Sequence, residues 1–242
     1  DGQVLVRGFP AGPWGTNCYV VASQAGAECV IIDPGKDSIS GIDEIIADLA
    51  LKPVAVMLTH GHIDHVWSVV PVCGSRGIPA FIHTDDRAML TDPMAGISRQ
   101  TADLLATMTD GRLAAGEPEE VMPLTDGMTI DLAGLEFIVD HAPGHTRGSV
   151  MFRRLETPED PTVLFSGDVL FEGSIGRTDL PGGDHGQMLN SLRSKVLPLM
   201  DTTVVLPGHG GATTIGQERQ SNPYLTALAD DGSSPVNRSR GL

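Results

Sequence analysis

An apolar run at residues 54–58 ends in Thr59, and the chain then reads His60-Gly61-His62-Ile63-Asp64-His65. No other stretch constrains the fold as strongly. The run is what a strand covered on both faces looks like, and three imidazoles with one carboxylate follow it directly. Imidazole and carboxylate together suit zinc, iron or manganese. His60 and His62 stand two apart in an extended segment, so they point to the same side. Asp64 and His65 come where the chain turns into a helix, so they face a neighbouring position. One short loop can therefore feed two adjacent metal positions. It cannot complete both, and the remaining ligands must come from other strand ends.

Three further residues fit that need. His145 stands in Ala142-Pro143-Gly144-His145-Thr146, Asp168 in Ser166-Gly167-Asp168, and His209 in Pro207-Gly208-His209-Gly210. Each follows a predicted strand and has glycine beside it, which permits close backbone approach. A lone histidine is more often structural than ligating. Here five of the eight histidines and two aspartates fall into one arrangement, and that favours metal.

The rest of the pattern supplies the frame. Strands are predicted at residues 3–9, 17–23, 29–32, 54–58 and 80–83, and again at 128–132, 135–140, 150–153, 163–166 and 203–206. Ile42, Ile45, Ile46 and Leu49 recur at helical spacing. A helix is expected to begin in residues 66–73 and to be ended by Gly74 and Gly77, and others at 187–197 and 217–229. Residues 85–119 are polar, helical only in parts, and read as an insertion near the site. Strands mixed with helices over two halves predict a layered α/β domain, two sheets packed together with helices outside. The domain is expected over residues 1–229, with a Gly-, Ser- and Asp-rich tail at 230–242.

Composition removes several function classes. Acidic residues outnumber basic ones 31 to 16, for a formal net charge of −15, and no basic run exceeds two residues. Nucleic-acid partners need clustered Lys and Arg and are not expected. No stretch reaches membrane-spanning length, and no basic segment followed by a long apolar one marks a secretory signal. Cys18, Cys29 and Cys73 form no C-x-x-C pair. Such usage fits reduced structural thiols in a cytoplasmic protein.

H-x-H-x-D-H followed by distant His, Asp and His resembles the metallo-β-lactamase superfamily, over roughly residues 4–225. The resemblance implies a four-layer αββα sandwich with the metals at one edge of the two sheets. It implies two divalent ions, zinc foremost, with iron or manganese as alternatives. His60, His62 and His145 would bind one and Asp64, His65 and His209 the other, with Asp168 bridging. A metal-activated water would be the nucleophile, and Asp64 and Asp168 would also handle its proton.

Within the family, no Cys lies in the motifs, where zinc β-lactamases often carry one. His62 stands where flavo-diiron relatives carry Glu. The nucleic-acid-processing relatives have a large extra domain that a chain of this length is not expected to hold. Gly176-Arg177-Thr178-Asp179, Pro181-Gly182-Gly183-Asp184, and Thr213 to Arg219 with Asn222-Pro223 are similar to the small bacterial glyoxalase II-like branch. Glyoxalase II hydrolyses S-D-lactoylglutathione, and a cation nine residues after its bridging Asp helps bind substrate. Arg177 holds that spacing; its other reading is a loop-anchoring ion pair with Asp179 or Asp184.

The match departs at Asp179 and at Gly210-Gly211, where substrate-binding tyrosines are expected, and a glutathione-binding helical domain is not expected in a chain of this length. The resemblance thus supports hydrolysis of S-(2-hydroxyacyl) thioesters of glutathione or another small thiol, a small-molecule substrate. The alternatives on this fold are a mononuclear-iron persulfide dioxygenase and a lactonase. A binding module without turnover is a class apart.

Overall fold

A computed structural model describes residues 3–110 and 115–232. The first half holds β1 (Leu5–Ala11), β2 (Thr16–Ala22), β3 (Glu28–Ile32), α1 (Ile39–Leu49), β4 (Lys52–Met57), α2 (Ile63–Val66), α3 (Val69–Arg76), β5 (Ala80–His83), α4 (Arg99–Met108) and β6 (Val121–Leu124). The second holds β7 (Thr129–Leu132), β8 (Leu135–His141), β9 (Val150–Arg154), β10 (Val163–Gly167), β11 (Leu170–Phe171), β12 (Ser174–Ile175), α5 (His185–Ser191), β13 (Val204–Pro207), β14 (Thr213–Thr214), α6 (Ile215–Ser221) and α7 (Pro223–Gly232). β1 to β6 form one sheet in chain order, and the other runs β14-β13-β10-β9-β8-β7.

Period-2 alternation sorts the apolar side chains between layers. Val30 and Ile32 of β3, with Ala55 and Met57 of β4, face the second sheet and meet Phe137, Val139, Phe152 and Phe165. Cys29, Ile31, Val56 and Leu58 point the other way, onto Ile42 of α1 and Val69, Val72 and Cys73 of α3. Met151, Leu164 and Val205 of the second sheet turn outward onto Met188, Leu192 and Val196. Both faces of the central strands are covered, which is why they read as unbroken apolar runs. The result is the αββα sandwich. Each fully buried Ile or Phe contributes about 1.5–3 kcal/mol.

All three cysteines are free and buried, packed in the outer cluster beside α1 and α3. Burial pushes the Cys29 and Cys73 thiols up to about 12. No helix among the described residues is long and apolar enough to cross a membrane.

Two expectations about helices need correction. Gly74 lies inside α3; Gly77 ends it, because its φ of 63° turns its N–H back to the Cys73 carbonyl. The helix expected at 217–229 is two helices. Asn222 precedes Pro223 and is extended (φ −76°, ψ 116°), as the proline ring requires of its neighbour. The hairpin of β11 and β12 just after Asp168 was not anticipated, since two-residue strands leave no periodic signal. α7 runs to Gly232, and the rest of the expected tail, 233–242, lies outside the described residues.

Candidate metal centre

Leu58 and Thr59 finish the buried run, and His62 is still extended (φ −63°, ψ 143°) where it caps α2. Asp64 and His65 sit within α2. His145 lies in the loop between β8 and β9, Asp168 directly after β10, and His209 after β13. β8 and β10 both run antiparallel to β9, and β13 runs parallel to β10. Their C-terminal ends therefore share one edge, and all seven residues named from the sequence come together there.

They form two groups. His60, His62 and His145 offer ligand atoms within 4.8 Å of one another, and so do Asp64, His65 and His209. Asp168 lies between them. Its Oδ1 is 3.3 Å from His65 Nε2, and its Oδ2 is 3.4 Å from both His145 Nε2 and His209 Nε2. A carboxylate so disposed can reach into both groups at once. Gly208 makes room for it, since a Cβ there would collide with Asp168 Oδ1 and lie 2.8 Å from His65 Cε1.

Four of the five imidazoles are fixed from behind. His60 Nδ1 is 3.0 Å from Thr59 Oγ1, and His65 Nδ1 is 2.8 Å from Asp33 Oδ2. His145 Nδ1 donates to the Arg177 carbonyl at 2.7 Å, and His209 Nδ1 to the Trp14 carbonyl at 3.2 Å. Ligating histidines are held in this way in metal sites, through the ring nitrogen that does not face the ion. Three inward atoms lack partners: His60 Nε2, His65 Nε2 and Asp168 Oδ1 are buried without a hydrogen bond, while His62 turns Nδ1 inward, 2.9 Å from His145 Nε2. Each such atom costs about 1–3 kcal/mol. Three of them converging on one spot fit cations of nitrogen- and oxygen-liganded type.

Charge agrees with that fit. Burial drives His60 well down and His62 to about 3, with neighbouring imidazoles adding to the effect, so both rings are neutral with lone pairs available. Burial opposes ionisation of Asp64 and Asp168, yet His65 foremost holds both well below the usual carboxylate range. Against burial, the same carboxylates raise His65, and raise His209 to about 9. Two anionic carboxylates among buried rings call for positive charge.

Residues 11–209 match the family description of the metallo-β-lactamase superfamily. An uncharacterized protein of Mycobacterium tuberculosis is 49% identical over 228 residues, covering 93% of this chain and all of that one. The hydroxyacylglutathione hydrolase GloC of Haemophilus influenzae is 34% identical, covering 90% of this chain and 97% of its own. Among solved structures, the BLEG-1 B3 metallo-β-lactamase superposes with a TM-score of 0.79 at 40% identity, covering 92% of this chain and 100% of that chain. The chain belongs to the metallo-β-lactamase superfamily.

Two buried aspartates that sequence reasoning missed hold this superfamily site together. Asp33 has left-handed backbone (φ 51°), which aspartate tolerates better than most residues. Besides facing His65, it accepts from the Thr59 amide at 2.8 Å and the Thr59 hydroxyl at 2.6 Å. Its only sequence signal is an acid at the end of a buried strand, before Pro34-Gly35. Asp86 accepts from the amides of Gly61 and Gly148 and from Thr146 Oγ1, at 2.9, 2.7 and 2.6 Å. It thereby ties the loop of His60 and His62 to the loop of His145. Burial raises its pKa against these three hydrogen bonds.

Described residues of the stretch at 85–119 border the site. Ile97, Thr101 and Leu105 join Trp14, Leu180 and the metal-facing side chains around a cavity of about 240 Å³. Arg177 borders it, with its Nε and Nη2 paired to the two Asp179 carboxylate oxygens at 2.7 and 2.9 Å. Asp184, the other partner considered for Arg177, instead caps α5 by accepting from the Gln187 amide at 2.8 Å.

Proposed function

We propose that this metallo-hydrolase is a two-metal thioesterase of the glyoxalase II-like branch, cleaving S-(2-hydroxyacyl) thioesters of glutathione or another small thiol. The observation that carries the reading is the convergence of seven ligand side chains with orphaned inward atoms beside an open cavity. His60, His62 and His145 would hold one ion, Asp64, His65 and His209 the other, and Asp168 would hold both. When bound, two divalent ions, zinc foremost, supply an acidified water and polarise the scissile carbonyl.

The remaining work belongs to the protein. Asp64 is partly exposed to the cavity and oriented by Thr16 Oγ1, which donates to its Oδ2 at 2.9 Å. It takes up the proton of the attacking water. A C–O bond forms at the acyl carbon, the C–S bond breaks, and the proton leaves with the thiol. Thiolates have a pKa near 8.5, so the leaving group needs little further help. Asp168, more deeply buried, keeps the two ligand groups in register. Likeness to the Haemophilus influenzae hydroxyacylglutathione hydrolase supports this chemistry.

The test is a panel run on zinc-loaded protein: S-D-lactoylglutathione, thioesters of neutral thiols, a β-lactam, a lactone, and glutathione persulfide with oxygen uptake recorded. Thioester hydrolysis that exceeds the other activities is expected. Oxygen consumption on the persulfide, or turnover of the β-lactam or lactone alone, would overturn the reading.

A further inference from the structure

The cavity beside the ligands has a chemical character of its own. Trp14, Ile63, Ile97, Leu105 and Leu180 line it. Ile63, Ile97 and Leu105 belong to one packed apolar cluster against which Trp14 also rests. α4 delivers Leu105 because its apolar side turns inward, with Ala102 and Leu105 buried. An apolar wall gains nothing from a charged substrate group and gains with each methylene it covers.

Electrostatics point the same way. Arg177 is the one Lys or Arg among the described residues that line it, and Asp179 engages it through both carboxylate oxygens. Arg147 lies outside this lining, exposed at the border of another cavity of about 290 Å³ that Asp85 and Asp86 also line. A thiol bearing carboxylates therefore meets no uncommitted Lys or Arg among the described lining residues.

We infer that the natural substrate carries an uncharged apolar group next to the thioester, seated against Trp14, Ile97 and Leu105. This rests on the thioesterase reading and names its substrate class. The group belongs to the acyl chain or to the thiol, and the assay separates the two.

Zinc-loaded protein is assayed on acetyl, butanoyl, hexanoyl and octanoyl thioesters of N-acetylcysteamine. A second series joins one acyl group to mercaptoethanol or benzyl mercaptan. In one series kcat/KM should rise about fourfold per added methylene, then fall once the cavity is overfilled. S-D-lactoylglutathione should be the poorer substrate. Thr101→Phe, which narrows the cavity, should cut the hexanoyl-to-acetyl ratio at least about tenfold; Leu105→Ala should shift the optimum to a longer chain. Binding is read separately. Trp14 and Trp67 are the two tryptophans, so in Trp67→Phe protein Trp14 alone reports binding of methyl ketones of graded length. Affinity should grow with length. Thioester hydrolysis with both series flat, or with lactoylglutathione preferred, overturns this inference and leaves the thioesterase reading standing. Ketone binding that tightens with length, without turnover of any thioester, supports the apolar site and overturns the thioesterase reading.

Discussion

Asp33 stands 2.8 Å from Nδ1 of His65 while the same carboxylate holds both the amide and the hydroxyl of Thr59, the residue before His60. One buried side chain thus braces residues of both proposed ligand groups. Asp33→Ala should weaken metal binding about 10–100-fold, the usual effect of losing such a partner. Competition with a fluorescent chelator measures this, and unchanged affinity would remove Asp33 from the centre.

Asp86 joins two ligand loops that are distant in sequence. Removing it strands two buried amides and a hydroxyl. Asp86→Ala should lower unfolding free energy by at least about 2 kcal/mol and loosen the ion held by His60, His62 and His145 before the other. Asp86→Asn keeps the shape and part of the acceptor capacity, so it should recover much of the loss. Denaturant titration with and without zinc reads both effects.

Proton release should differ between the two groups. In metal-free protein His60 and His62 are already neutral, whereas His65 is raised and His209 titrates at about 9. A raised imidazole is protonated at neutral pH and must lose its proton to ligate. Filling the Asp64, His65 and His209 group should release protons below about pH 9, and its affinity should rise with pH up to there. His60 and His62 should release none. Calorimetry in buffers of different ionisation enthalpy distinguishes the two steps, and equal release for both would contradict the assignment.

Arg177 and Asp179 form an exposed pair, and such pairs contribute about 0–1 kcal/mol. Arg177→Ala should change kcat/KM for a neutral thioester by less than about fivefold, with metal content intact. Asp179→Ala frees the guanidinium and should favour thioesters of anionic thiols. A large loss in Arg177→Ala on neutral substrates would make Arg177 a direct substrate contact.

Legibility in the sequence followed periodicity and local chemistry. Val54 to Leu58 read as a buried strand because α1 and α3 cover one face and the second sheet the other. The seven converging side chains were legible because imidazoles and carboxylates cluster after strand ends beside glycine. Asp33 and Asp86 were not, because each acts through partners that only the fold brings near: Gly61 and Gly148 lie 25 and 62 residues from Asp86. The cavity wall was equally hidden. Ile97, Thr101 and Leu105 sit in a polar stretch whose apolar positions are too sparse to announce a buried face. The break at Asn222-Pro223 was readable from the proline rule alone.

Metal stoichiometry set against turnover tests the two-metal thioesterase most directly. Metal-free protein is titrated with zinc and dialysed, and bound metal is measured by elemental analysis beside thioester hydrolysis. Saturation near two equivalents per chain is expected, with activity following the second equivalent. Asp168→Ala should lose both metal and at least about 10²-fold in kcat, a loss comparable to removing a transition-state donor. Saturation at one equivalent, or full activity and metal content in Asp168→Ala, would contradict it.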